Sequence, residues 1–452
     1  MTEPIPRIVE LRELLRLGLP VAVTQLGMMM LGVVDTMMVG HLGTTALDAA
    51  ALGSLWTYGT AVFGIGVVMG MDPVVSQAHG AGNHRRVALT LHRGVVVSLL
   101  VTPPLALCWW LTTSGLLALG QAPELAAAAG DYVGIQIFGL WPMLGFYALR
   151  QYLQGRGVVF PGVAAVLLAN VFNVVANWAL IFGNLGLPAM GLAGAGLATG
   201  LTRCVLLLSL VLWTWGAGLF RDAWERPSTE ALHLRGLAEI LRHGIPIGLQ
   251  YGLEMWAFQF STLMAGTMGE AELAAHVIAL NLASLSFMVP MGISQGASAR
   301  VGNLLGAGRS DAARRSATLA LMLGGGVMVV GATAFVVLRE QLPRLYTSDP
   351  AVIGLAASIL PIAAAFQLFD GTQAVGGGVL RGLGATRPAA VFNFVGYYLV
   401  ALPLAAFAAA EGWGLQGVWW GLCLGLFVVA SALVWWIRRM ANFERPGAGH
   451  PG

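Results

Sequence analysis

Glu13-Leu14-Leu15-Arg16-Leu17-Gly18-Leu19-Pro20 returns later in the chain as Glu239-Ile240-Leu241-Arg242-His243-Gly244-Ile245-Pro246, at an offset of 226 residues. The same offset pairs Gly40 and Gly43 with Gly266 and Gly269, and Gly80-Ala81-Gly82 with Gly306-Ala307-Gly308. Leu153-Gln154-Gly155 and Leu380-Arg381-Gly382 follow at 227, as do Pro161 and Pro388. An offset held constant from Glu13 to Gly82 marks an internal duplication. Outward from these anchors, each half carries six apolar stretches long enough to span a bilayer as helices. Barrel strands are about 10 residues long and alternate in polarity, which these stretches do not. Six is even, so both halves enter the membrane from the same side. The repeats are therefore parallel, related by an axis along the membrane normal.

The expected fold is an all-α integral membrane protein of twelve transmembrane helices in two pseudo-symmetric six-helix bundles. The expected division is a first lobe over 1–217, a cytoplasmic linker over 218–241, and a second lobe with a cytoplasmic tail over 242–452. The linker is the longest polar segment and holds Arg221, Asp222, Glu225, Arg226, Pro227 and Glu230.

Composition demands the membrane independently. Of 452 residues, 57% are hydrophobic and 10% charged, where soluble domains carry about 25% charge. Too few charges exist to cover a soluble surface, and the composition excludes disorder. The net charge of +3 is spread over loops rather than gathered in a patch, so no nucleic-acid partner is expected. Cys108, Cys204 and Cys423 lie in apolar runs without metal or redox spacing. The first apolar run, Leu17 to Val39, has no small-residue cleavage site and reads as a spanning helix rather than a leader.

All 24 basic residues are Arg. With the N-terminus inside, cytoplasmic segments hold 21, among them Arg85, Arg86, Arg93, Arg150, Arg156, Arg300, Arg381 and Arg387. The outer loops hold Arg339 and Arg344. Arginine bias therefore places both termini in the cytoplasm, and the clusters read as topology signals and headgroup contacts.

Acids inside helices are costly, about 2.5–3.5 kcal/mol each at a helix centre, and mark ion or substrate pathways by default. Asp35, Glu254 and Asp370 lie deep within predicted spans, Glu254 and Asp370 with no visible basic partner in their half. Asp72, beside Pro73 near the inner end of the second span, reads as a cap at a break. At the repeat offset Asp35 faces Ser261 and Glu254 faces Met28. The acids are therefore not a requirement of folding met twice, and the halves carry different sites. Asn173 and Asn177 share one helix face and must point inward to be paired. That face suits a cation, the Asp35 carboxylate, or plain contact between helices. Thr199 is a further candidate, and Arg203, one turn on, is expected to pair with a buried acid. No nucleotide-binding loop, catalytic triad motif or HxxxH pair appears.

Pro20, Gln25, Asp35 and Gly40, with Val75-Ser76-Gln77-Ala78-His79-Gly80-Ala81-Gly82 and Val301-Gly302-Asn303-Leu304-Leu305-Gly306-Ala307-Gly308, resemble the MATE family of multidrug and toxic compound extrusion transporters. Gln373 and Leu380-Arg381-Gly382 after Asp370 fit the same pattern, and Glu254 with Asp370 resembles the NorM-like branch. The resemblance covers essentially the whole chain. It implies two six-helix bundles around a central cavity, alternating between outward and inward openings, and export of organic cations in exchange for Na⁺ or H⁺. It carries Asp35, Asn173, Asn177 and Thr199 onto an N-lobe cation-coupling site. It carries Glu254 and Asp370 onto a C-lobe site able to take Na⁺. Where some members have a Tyr hydroxyl beside that aspartate, this chain has Phe366.

The leading expectation is a secondary antiporter for amphipathic organic cations such as drugs and toxins. It would need no cofactor beyond the coupling ion and act as a monomer among lipids, multi-pass in a bacterial inner membrane. A lipid-linked precursor flippase would favour a cationic cavity for phosphates, and Arg203 alone is expected to be buried. A polytopic membrane enzyme would need a nucleophile, His or metal constellation, which the sequence does not display, so no enzymatic activity is expected.

Overall fold

The computed structural model describes residues 6–221, 226 and 229–440. Asp222, Glu225 and Pro227 of the expected linker, and the tail beyond residue 440, lie outside the described residues. Among the described residues the regular structure is entirely helical. The first half comprises α1 (Arg7–Gly40), α2 (Thr44–Val68), α3 (Met71–Gly80), α4 (His84–Trp110), α5 (Thr112–Ala118), α6 (Pro123–Ile135), α7 (Leu140–Gly155), α8 (Phe160–Phe182) and α9 (Gly191–Gly216). The second comprises α10 (Leu234–Met268), α11 (Glu270–Gly306), α12 (Ser310–Val337), α13 (Pro350–Gly382), α14 (Thr386–Asn393), α15 (Leu402–Ala408) and α16 (Gly414–Arg439).

Among the described residues, nine helical segments are long and apolar enough to cross a membrane, and a tenth forms from Pro123–Ile135 and Ile137–Gly155, bent by 41°. One of the nine, Thr386–Arg439, is two crossings. Gly412 (φ 85°) and Gly414 (φ 55°) reverse the chain there, in a backbone region that favours glycine. Small residues then seat the two arms antiparallel, Gly417 against Ala408, Gly421 against Ala405 and Gly425 against Ala401. α10 has the required length but carries Glu239, Arg242, His243, Gln250 and Glu254, which lower its hydropathy. Twelve crossings follow, six in each half.

Val23–Gly248 forms one compact unit, and Met1–Ala22 with Leu249–Gly452 forms the other. The expected division at 218–241 differs from these units, which part inside α1 and α10 rather than in the linker. Each parting lies just beyond a proline, Pro20 or Pro246, and the two positions are repeat equivalents. The physical reason lies in the glycines. Gly18 and Ala22 of α1 pack directly on Gly292 and Gly296 of α11, where a Cβ on Gly292 would lie 2.6 Å from the Ala22 nitrogen. Gly244 and Gly248 of α10 pack likewise on Gly66 and Gly70, where a Cβ on Gly66 would lie 2.6 Å from the Gly248 nitrogen. All four positions of one crossing map onto the other at offset 226. Small residues at four-residue spacing let membrane helices approach backbone to backbone. In the second unit, Arg300 of α11 also clamps Glu10 of α1 through two bonds of 2.9 and 2.7 Å.

Large apolar side chains cover the outer faces. On α8, Leu167, Leu168 and Val171 are more than half exposed, while Asn173 and Asn177 on the opposite face are buried. This inversion of soluble-protein polarity places polar groups inside the bundle, as lipid requires.

Candidate functional site

The first unit gathers one acid among amides. Asn173 and Asn177, one turn apart on α8, both donate through Nδ2 to Oδ1 of Asp35 on α1, at 3.0 and 2.6 Å. Thr199 of α9 donates its hydroxyl to the other oxygen, Oδ2, at 2.8 Å. Asn170, in line with Asn173, donates to the Gly27 carbonyl at 2.9 Å and ties α8 to α1. The structure thus brings together the four expected residues of this lobe. Three donors match an ionised carboxylate, which only accepts. The amide oxygens of Asn173 and Asn177 are buried without a hydrogen-bond partner. With Asp35 they form an oxygen-rich set of the kind that hard cations prefer.

Arg203 departs from expectation. Among the described residues it forms no ion pair with an acid and its Nη1 has no hydrogen-bond partner; its guanidinium lies 5.2 Å from the centre of the Trp109 ring. Trp109 is held in turn by a 2.9 Å bond to the Thr60 hydroxyl.

The second unit gathers two acids. Glu254 of α10 accepts at a single oxygen, Oε2, from Gln373 Nε2 at 3.0 Å and Asn393 Nδ2 at 3.4 Å. Tyr397 donates its hydroxyl to Gln373 Oε1 at 3.3 Å. Asp370, three residues before Gln373 on α13, is buried, and its Oδ1 has no partner. Phe366 packs edge-on against Phe258 and Trp419, so the hydroxyl nearest this network belongs to Tyr397. Tyr397 stands in Phe394–Ala401, a stretch wound as a π-helix directly after Asn393. Such wide turns are rare and concentrate at functional sites.

The reading of Arg150 and Arg381 as interfacial topology signals is corrected. Both are buried inside helices, at 5% and 2% exposure. Arg381 donates to the Tyr251 hydroxyl and, at 2.9 Å, to Ser294 Oγ. Tyr251 lies one turn before Glu254, and the positive charge reaches that carboxylate. A basic group therefore does accompany Glu254 in its half. Arg150 donates to Gln25 at 3.2 Å, and Gln25 is the repeat equivalent of Tyr251. Asp72 is fully buried in the first turn of α3.

Asn393 and Tyr397 were not singled out from sequence, and Gln373 only through the family pattern. The available signal was an amide or phenol inside an apolar span, three residues from Asp370 or shortly after a loop.

A family model described as MatE matches residues 20–179 and 246–407, one match in each half. This chain belongs to the MatE family. It is 35% identical over 446 residues to the Probable multidrug resistance protein NorM of Bradyrhizobium diazoefficiens, covering 96% of this chain and 94% of that one. It is 31% identical to Multidrug resistance protein MdtK of Cronobacter sakazakii, covering 95% of each. The crystal structure of the eukaryotic MATE transporter AtDTX14 matches with a TM-score of 0.89 at 26% identity, covering 97% of both chains. With these relatives the chain is a multi-pass membrane protein and not an enzyme.

Proposed function

We propose that this chain is a secondary antiporter that exports amphipathic organic cations in exchange for Na⁺ or H⁺. One observation carries the reading. Asp35, Glu254 and Asp370 stand inside apolar helices, the first two held by amides and a hydroxyl and the third with a buried oxygen that has no donor, and none forms an ion pair among the described residues. An unpaired carboxylate in such surroundings attracts any cation that reaches it, a hydrophobic drug or a small ion alike. Competition for one carboxylate then couples the two flows, provided each ligand favours a different opening of the same protein. The names of the relatives, multidrug resistance proteins, support the substrate class. The arginine distribution supports cytoplasmic termini in a bacterial inner membrane, and the completeness of each acid cluster within one chain supports a working monomer.

The experiment is dye efflux from proteoliposomes, run once with a proton gradient and once with a sodium gradient. Efflux driven by either gradient is the expected result. Dye retention under both, with the protein correctly inserted, refutes antiport.

A further inference from the structure

The arginine bias leaves two arginines, Arg339 and Arg344, in the loops assigned to the outer face. Both line one cavity of about 850 Å³ in the second unit. Its walls are the segment that links α12 to α13 and the first turns of α13. Both arginines are exposed, and neither has an ion pair or a side-chain hydrogen bond among the described residues. Glu340 lines the same cavity, so two arginines and one glutamate leave its rim a net charge of +1. Away from this rim the cavity follows α13. Pro350, Ile353, Gly354 and Ala357 line it at helical spacing, one face over two turns, about 10 Å along the axis. Gly354 keeps that face open, since a Cβ there meets nothing within 4 Å. Ser358, at the far end, donates its hydroxyl to the Leu355 carbonyl at 2.7 Å. The far end therefore offers chiefly hydrocarbon. Beside the rim, Val337 and Leu345 are 67% and 78% exposed.

Positive charge in this loop works against the orientation that the other arginines favour, so topology does not account for it. A charged rim that leads into an apolar groove along a membrane-spanning helix suits a molecule with an anionic head and a hydrocarbon tail. We infer that this cavity seats an anionic phospholipid of the surrounding leaflet, with the headgroup chemistry of phosphatidylglycerol. Arg339 and Arg344 hold the phosphate, and one acyl chain lies along Ile353, Gly354 and Ala357. The forked guanidinium matches a phosphate in shape as well as charge. A phosphodiester carries one negative charge and neutralises the +1 of the rim. Glu340, which when ionised only accepts, takes hydrogen bonds from the headgroup hydroxyls. A net-neutral phosphatidylethanolamine leaves one positive charge of the rim uncompensated, and a soluble anion gains nothing from the apolar face. The inference goes beyond the export reading and does not depend on it.

The test is photolabelling of the full chain in detergent by phosphatidylglycerol that carries a diazirine in one acyl chain, followed by peptide mapping. Label falls on residues 353–358. Unlabelled phosphatidylglycerol displaces it at least about tenfold more effectively than phosphatidylethanolamine with the same chains, as expected for one uncompensated charge. Arg339→Gln combined with Arg344→Gln lowers this label about tenfold, while label on other peptides stays unchanged and certifies the fold. Gly354→Leu fills the groove, keeps a good helix former at that position, and lowers the same label without touching the charges. Absence of label at 353–358 in the wild type, equal displacement by phosphatidylethanolamine, or label that survives in either variant overturns the inference. Displacement by glycerol 3-phosphate as effective as that by the lipid identifies a soluble-anion site and overturns it too. None of these outcomes bears on dye efflux, so the export reading stands or falls separately.

Discussion

The two acid clusters differ in how fully their carboxylates are satisfied. Asp35 has one donor on one oxygen and two on the other, all within 3.0 Å. Glu254 receives two amide donors on a single oxygen, one of them at 3.4 Å, and Asp370 has an oxygen with no donor. The first site is a single negative charge that the protein has already solvated. The second gathers two acids with too few donors. A proton or a metal cation supplies what the missing donors do not. The comparison teaches that the second cluster is the better candidate for the coupling ion, and the first for recognition of the ligand.

The largest expected effect tests that division directly. Glu254→Gln and Asp370→Asn each reduce gradient-driven dye efflux by about a hundredfold or more, equivalent to at least about 2.7 kcal/mol. Protein level and folding stay near normal, because a neutral amide replaces a charge of the same shape. Wild-type efflux from both variants breaks the comparison. Next in size is the ion pair at the base of α1. Glu10→Gln leaves Arg300 half-buried and unpaired, which lowers unfolding free energy by about 3 kcal/mol. Arg85→Gln removes an exposed pair with Glu230 and costs about 1 kcal/mol or less. Thermal unfolding in detergent ranks the two, and equal losses contradict the packing argument.

Asp35→Asn sharpens the comparison at about tenfold in dye affinity, or 1.4 kcal/mol. Protonating Asp35 removes the charge that attracts a cation, so binding of a permanently cationic dye weakens as pH falls. The amide mimics the protonated state and abolishes that slope. Binding measured from mildly acidic to mildly basic pH decides the point, and an unchanged slope removes Asp35 from cation recognition. The smallest effect belongs to the supporting amides. Asn393→Ala and Asn177→Ala each remove one of several donors to a carboxylate and leave the others in place, at a cost of about 1 kcal/mol. Asn393→Ala changes the ion dependence of efflux, whereas Asn177→Ala changes dye affinity. Identical phenotypes would show that the two clusters do not divide the work.

Much of this protein was legible without coordinates. The duplication, the helical class and the depth of Asp35, Glu254 and Asp370 follow from spacing, because a bilayer admits few backbone solutions and makes each intramembrane charge conspicuous. The face of Asn173 and Asn177 follows from helical periodicity. Tertiary structure decided what spacing cannot encode. Arg150 and Arg381 read as loop charges because they stand near span ends, yet packing buries both beside polar partners on α1 and α10. Arg203 was expected to meet an acid, but the acid's donors came from α8 and α9 and left the guanidinium on Trp109. Asn393 at the end of α14 and Tyr397 in the wide-wound stretch after it meet Glu254 and Gln373, which stand on α10 and α13. The compact units part at Pro20 and Pro246 rather than at the linker, since glycine-lined crossings fix half of α1 and half of α10 to helices far away in sequence. Periodicity reports which face of a helix is polar; which partner meets that face depends on close packing between segments hundreds of residues apart.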